Sequence, residues 1–258
     1  MSTIDLPQAR RQLIAERLAA GHAVIAADLA AEFGLSEDAI RRDLRALAAE
    51  GLCRRVYGGA VPVTAGDPPL AARLREAPDR KSALARAGAA TVRPGELVFI
   101  DTGSTNLALV DFLPEDAGLT VATNGVDVAA AVLHRQDLRL IVIGGEVDPH
   151  LGGCVDAAAV ESLRDLRIDR CFVGACALST QGLMTPQFNE ATFKRTVIRN
   201  SRHRVALITS DKVAAQAPHR IAELSALQTV VLEQGADAGV IDALREAGVA
   251  VIQVEAAR

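Results

Sequence analysis

The stretch LAAEFGLSEDAIRRDLRALAAEGLCRRVYGGA, residues 29–60, decides the reading of the first part of the chain. Leu29, Ala30 and Phe33 recur at helical spacing, and Gly34 stops that helix. Ser36 is a good N-cap for a second helix, and Glu37 and Asp38 suit its positive end. Ile40, Leu44 and Leu47 form its buried stripe and Gly51 ends it near Glu50. Arg42 then points opposite that stripe, with Arg41 and Arg45 flanking it. Leu52–Tyr57 alternates as a short strand, and Gly58-Gly59 turns the chain back. With a further helix over about Leu6–Ala20, the order of helix, helix, turn, basic helix and basic hairpin predicts a winged helix-turn-helix over residues 1–60.

A protein that reads DNA with one helix needs a small basic footprint, not bulk positive charge. The net charge is −4, yet residues 41–55 set five arginines against only Asp43 and Glu50. Ser36, Arg41, Arg42, Arg45, Arg54, Arg55 and Tyr57 are the candidate DNA-contacting residues. The helix sends its arginines into the major groove and the hairpin grips phosphates. Asp43 is read as an orienter of neighbouring arginines.

The chain has 258 residues, half of them apolar, only 3% aromatic and no Trp. Its core must be built from Ala, Val, Leu and Ile, which suits helices packed on a parallel sheet. No run reaches the roughly 18–20 apolar residues that span a bilayer, and MSTIDLPQARRQ is not a signal peptide, so a cytoplasmic protein without a membrane partner is expected. Residues 61–75 begin with the Pro-rich VPVTAGDPPL and read as a linker to a second domain at 76–258.

Past a helix near Lys81–Val92, strands are expected at 97–101, 119–123, 138–143, 168–173, 204–209, 229–232 and 249–254. Helices fit between most of them, predicting a mainly parallel α/β domain. Small and polar residues cluster after these strands: Asp101-Thr102-Gly103-Ser104-Thr105-Asn106, Thr123-Asn124-Gly125, Gly144-Gly145, Gly174 and Ser210-Asp211-Lys212. Ligands bind at the carboxyl ends of strands in such sheets, so these clusters converge on one crevice. Gly103–Thr105 also opens a helix and offers N–H groups and two hydroxyls to a phosphate.

The stretch 29–60 resembles the N-terminal signature of the DeoR family of bacterial regulators of sugar metabolism, through Ser36, Ile40, Arg41-Arg42-Asp43-Leu44, Gly51 and Arg54-Arg55. Ala39 and Tyr57 depart from it, standing where the family usually has Thr and His. The later clusters extend the resemblance, together with Asp169–Gly174 and Glu190–Lys194. It implies a C-terminal domain similar in fold to ribose-5-phosphate isomerase, and a repressor that binds double-stranded operator DNA under the control of a phosphorylated sugar. Asp101, Gly103, Ser104, Thr105, Asn124, Gly144, Gly145, Gly174, Glu190, Lys194 and Lys212 are its candidate ligand residues. Only three lysines stand against 25 arginines, which marks Lys81, Lys194 and Lys212 as places wanting a compact charge. A helix-turn-helix on a two-fold operator implies a homodimer or higher homo-oligomer.

The alternative is a sugar-phosphate isomerase-like enzyme with an accessory DNA-binding domain. Such an enzyme needs a carboxylate base, and Val173-Gly174-Ala175-Cys176-Ala177-Leu178, which resembles the isomerase's acidic loop, has none. Asp101, Asp169 and Glu190 are the carboxylates left to replace it. No catalytic residue, cofactor or metal is expected. The five histidines lack ligand spacing, Cys53, Cys154, Cys171 and Cys176 read as reduced thiols, and neither GxGxxG nor GxxxxGK[ST] occurs.

Overall fold

The computed structural model describes residues 7–19, 22–62 and 68–255. Two compact units divide the chain, Met1–Arg75 and Glu76–Arg258, each with its own core. Among the described residues no helix is long and apolar enough to cross a membrane.

The first unit runs α1 (Pro7–Ala19), β1 (Val24–Ile25), α2 (Ala26–Phe33), α3 (Glu37–Ala49), β2 (Cys53–Val56), β3 (Gly59–Pro62) and α4 (Leu70–Arg73). Ile14 and Leu18 of α1, Leu29 of α2 and Ile40, Leu44 and Leu47 of α3 meet in one cluster, each at most 2% exposed. Burying a Leu or Ile side chain contributes about 1.5–3 kcal/mol, so the i, i+4, i+7 stripe of α3 is what fixes its outward face. The hairpin pairs Arg55 with Ala60 and Val56 with Gly59, and β1 joins the far side of β3, giving a winged helix-turn-helix. β1 was not expected, being two residues long. The stretch 61–75, read as a linker, starts inside β3 and contains α4, where Pro68-Pro69 leads into a turn whose Leu70 is buried. Residues 63–67 lie outside the described residues.

The second unit runs α5 (Pro78–Ala89), β4 (Leu97–Ile100), α6 (Ser104–Leu107), β5 (Thr120–Thr123), α7 (Val126–Leu133), β6 (Arg139–Val142), β7 (Val147–Asp148), β8 (Gly153–Cys154), α8 (Ala157–Ser162), β9 (Ile168–Val173), β10 (Ala177–Ser179), β11 (Gly182–Thr185), α9 (Phe188–Arg199), β12 (Ser201–Ile208), β13 (His219–Ala222), β14 (Thr229–Glu233), α10 (Ala238–Glu246) and β15 (Ala250–Val254). Seven strands form one sheet in the order β15-β14-β12-β9-β4-β5-β6, parallel at every pairing. Alternation along the strands feeds two layers. Val98, Ile100, Val205 and Val231 pack against Leu84 of α5 and Val128 and Val132 of α7. On the other face Phe99 and Cys171 pack with Phe193 and Val197 of α9, while Ala206, Ile208 and Val230 meet α10 through Val240 and Leu244. The sequence pattern missed the antiparallel sheet β10-β11-β13 and the β7–β8 hairpin.

From β4 the chain winds outward through β5 and β6, then returns to β9 on the other side of β4 and winds away through β12, β14 and β15. The order therefore reverses between β4 and β9, and this is where open α/β sheets leave a crevice.

Candidate functional sites

On α3, the Ser36 side chain accepts a hydrogen bond from the Ala39 amide at 3.3 Å and caps the helix. Arg41, Arg42 and Arg45 are exposed, as are Arg55 and the fully exposed Tyr57 at the hairpin turn. The Arg54 side chain lies outside the described residues. Arg41 is paired with Glu37 at 2.6 Å and Asp38 at 3.4 Å, whereas among the described residues Arg42 donates only its Nε, to the Asp38 main-chain oxygen at 3.3 Å. Among the described residues Arg45 pairs with no acid or carbonyl. Exposed ion pairs contribute about 0–1 kcal/mol, so the partners of Arg41 do not prevent it from turning to DNA.

Asp43 does not serve the arginines beside it. It is 6% exposed and accepts from Arg10 Nε of α1 at 2.6 Å, so it orients a residue 33 positions away. This buried pair ties the recognition helix to α1.

At the switch point, Asp101 follows β4 and Gly174 follows β9. The Gly174 amide donates to Asp101 Oδ2 at 2.9 Å and bridges the two strands. Lys194 of α9 lies 3.2 Å from the same oxygen, donates to the Gly174 carbonyl at 2.8 Å and also donates to Glu190 Oε1. Glu190 in turn accepts from the Thr185 hydroxyl. Burial pushes the Asp101 carboxyl up from its ordinary range, against the pull of Lys194. Burial works to lower the Lys194 ammonium, but Asp101 and Glu190 outweigh it and hold the lysine charged. A Cβ on Gly174 would stand 3.1 Å from the Thr102 carbonyl and 3.4 Å from Lys194 Nζ, so the strand end must be small here.

The polar residues around this cluster fall into two groups. Asn124 is consumed by scaffolding: its Oδ1 accepts from the Thr102 amide and its Nδ2 donates to the Cys154 carbonyl, both at 3.1 Å. Thr102 donates its hydroxyl to the Leu151 carbonyl, Thr123 to Ile100, and Asn106 donates to the carbonyls of Asp101 and Phe172. Ser104 and Thr105 differ. Both are at most 7% exposed, yet among the described residues neither hydroxyl has a protein partner. Sequence reasoning named Asn124 with Ser104 and Thr105 because all three are polar loop residues; only the hydrogen bonds separate the brace from the uncommitted groups.

The outer candidates stand apart from this centre. Gly144 and Gly145 follow the edge strand β6, and a Cβ on Gly145 (φ 153°) would come within 2.3 Å of Asp156 Oδ1. Asp156 uses that oxygen to cap α8 through the Ala159 amide, which gives Gly145 a packing reason. Lys212 follows β12 in the turn Ser210–Lys212. That turn is pinned by Glu233, which accepts from the Ser210 amide at 2.6 Å and from Arg80 of α5 through two nitrogens, while Arg80 also reaches Asp211 at 3.3 Å. The hydrogen-bonded Arg80 guanidinium holds the Glu233 carboxyl down to about 2. Asp169 accepts from the Leu97 amide at the start of β4, the opposite end of the sheet from the crevice.

Both units match known families. The DeoR C terminal sensor domain matches residues 76–234, and the DeoR-like helix-turn-helix domain matches residues 10–65. The chain is 32% identical over 89% of its length to an uncharacterized HTH-type transcriptional regulator, YgbI, of Escherichia coli strain K12, covering 91% of that protein. It is 28% identical to the glycerol-3-phosphate regulon repressor of the same strain, over 85% of this chain and 88% of the other. Against the putative aga operon transcriptional repressor of Escherichia coli O157:H7 it is 27% identical, over 95% and 93%. Among solved structures, ribose 5-phosphate isomerase A from Methanocaldococcus jannaschii superposes with a TM-score of 0.38 at 16% identity, over 52% of this chain and 54% of that one. The two family matches and the relatives named as transcriptional regulators and repressors identify a DNA-binding transcriptional regulator with a sensor domain. The chain belongs to the DeoR family.

Proposed function

We propose that the protein is a cytoplasmic repressor of a carbohydrate-utilisation operon. It binds a two-fold operator as a homodimer or larger homo-oligomer, and a phosphorylated sugar sets its operator affinity. Arg41, Arg42 and Arg45 read the major groove from a helix capped at Ser36, with Arg54, Arg55 and Tyr57 of the wing on the backbone. The observation that carries the effector half is the pair of uncommitted hydroxyls, Ser104 and Thr105, beside the switch point in a surround where other polar groups are already bonded. Gly103 brings main-chain N–H groups to the same loop, and Lys212 is the cation at the crevice end of β12. Asp101, Asn124, Gly174, Glu190 and Lys194 shape and hold the loop, and Gly144 and Gly145 form its outer margin. Relatives named as repressors of a glycerol-3-phosphate regulon and of an aga operon support both the sign of regulation and the ligand class.

The test is a thermal-shift panel of phosphorylated sugars followed by operator titrations with the strongest of them. A ligand at a hundred times its dissociation constant adds about 2.7 kcal/mol of stability. A panel that leaves the melting curve unmoved, or a stabilising sugar phosphate that leaves operator affinity unchanged, removes the proposal.

A further inference from the structure

One ammonium faces two carboxylates at the end of β4. Lys194 has three N–H bonds and three acceptors: the Gly174 carbonyl, Glu190 Oε1 and Asp101 Oδ2. The ammonium is thus already held on three sides, and with both acids ionised the cluster keeps an excess negative charge. Asp101 is fully buried. Its Oδ2 is satisfied by Gly174 and Lys194, but its Oδ1 has no hydrogen-bond partner among the described residues. A buried polar group left unpaired costs about 1–3 kcal/mol, more when charged, and native structures carry few of them. Three and four residues further on, at the start of α6, stand the uncommitted hydroxyls of Ser104 and Thr105. Among the described residues, the unspent polar atoms at the switch point thus include one carboxylate oxygen and two hydroxyls that either donate or accept.

We infer that Asp101 Oδ1 is the acceptor for a hydroxyl of the effector, so that the ligand is a polyhydroxy compound whose uncharged end, not its phosphate, lies against the Asp101–Lys194–Glu190 cluster. This rests on the domain being a sugar-phosphate sensor, and it assigns the orientation of the ligand and the group that selects its hydroxyls. A phosphate placed at Asp101 meets like charge, whereas a hydroxyl there makes a charge-assisted hydrogen bond.

Asp101→Asn tests it at nearly constant size. Gly174 N and Lys194 Nζ are both donors, so the new amide oxygen must face them, and its NH2 replaces Oδ1; an acceptor becomes a donor. Calorimetry on the full chain would use glycerol 3-phosphate, ribose 5-phosphate, glucose 6-phosphate and fructose 6-phosphate, the four unphosphorylated counterparts, and inorganic phosphate. The tightest sugar phosphate should lose about 10-fold to 150-fold in affinity, as expected for one hydrogen bond to a charged group, while inorganic phosphate binds as well as before or better. Equal losses for both, or an unchanged sugar phosphate affinity, overturn the inference. A second measurement needs no variant: deoxy analogues of that sugar phosphate on the native protein must include one position with a loss of the same size, and a series without one also overturns it. Failure of the underlying reading shows separately, as no preference for any sugar phosphate over its free sugar; Asp101 is then judged by the same comparison on the free sugar.

Discussion

The amide of Gly174 donates to Asp101 Oδ2 at 2.9 Å, joining the ends of the two strands between which the sheet reverses its winding. Lys194 neutralises that junction from α9, and its removal should be felt first in stability. Lys194→Met leaves Asp101 and Glu190 buried without a cation, a situation that costs about 3–5 kcal/mol. The sign with pH follows. A carboxyl pushed above its unfolded value, as burial pushes Asp101, costs nothing while both states are protonated, and the penalty grows as pH rises from the unfolded value through the folded one. Urea denaturation should therefore show a gap between native and variant protein that is wide at pH 7.5 and narrower at pH 5.5. A gap independent of pH would mean that the lysine is a packing element and not a counter-ion.

Arg42 and Arg54 should fail in different ways. Arg42 stands outward from the Ile40, Leu44, Leu47 stripe with its terminal nitrogens uncommitted, and Arg54 belongs to the hairpin. Arg42→Ala should cost about 1–3 kcal/mol on the operator and relax base preference, whereas Arg54→Ala should weaken all DNA alike and lower the salt slope by about 1. Anisotropy titrations on operator and random duplexes at several salt concentrations separate the two. Full discrimination retained by Arg42→Ala would place the reading face elsewhere.

Much of this was legible because the physics is local. Each of the seven parallel strands contains an apolar run, five of them are followed by small polar residues, and α3 carries its cap, stripe and stop within 16 residues. What escaped depends on partners far apart in sequence. β12 begins at Ser201, not Arg204, because Ser201 and His203 pair with Ile168 and Arg170, although Ser-Arg-His-Arg reads as exposed loop. β11 and β13 are four residues each and pair across a gap of more than thirty. Asp43 carries no mark that its partner is Arg10. Lysine retention pointed to Lys194, but only the geometry shows its ammonium already held by Gly174, Glu190 and Asp101.

Glu233 gives a second pH dependence of opposite sense. Its folded carboxyl is held at about 2, well below an ordinary glutamate, chiefly by Arg80. Stability from a depressed acid is complete above the unfolded value and is lost as pH falls through the folded one. Glu233→Gln should cost about 1–3 kcal/mol at pH 7, the usual range for hydrogen bonds to a charged group. The difference should shrink steadily between pH 4.5 and pH 2. Equilibrium denaturation across that range reads it, and a constant difference would assign the loss to packing.

The same ion pair leads to the last prediction, that effector and operator affinities are coupled reciprocally and that Arg80 contributes to the coupling. The candidate residues for sugar and DNA lie in different units, so one ligand acts on the other only through a change in the protein. Arg80 stands five residues past the end of the first unit, on the helix that opens the second, and it holds both Glu233 and Asp211 of the turn carrying Lys212. Just before that helix Ala77 adopts a left-handed conformation (φ 44°) ahead of Pro78, a strained arrangement for a residue preceding proline. A shift of the Ser210–Lys212 turn on effector binding would thus be felt at the start of α5. A coupling of about 1–3 kcal/mol changes operator affinity roughly 5-fold to 150-fold, and linkage requires operator DNA to change effector affinity by the same factor. Titrating the strongest sugar phosphate with and without operator, in native protein and in Arg80→Ala, should show equal factors in the first and a reduced one in the second, with each single affinity little altered. Unequal factors at equilibrium are thermodynamically excluded; equal effector affinities with and without operator would end the allosteric mechanism, and an undiminished factor in Arg80→Ala would leave the coupling intact but route it away from this helix.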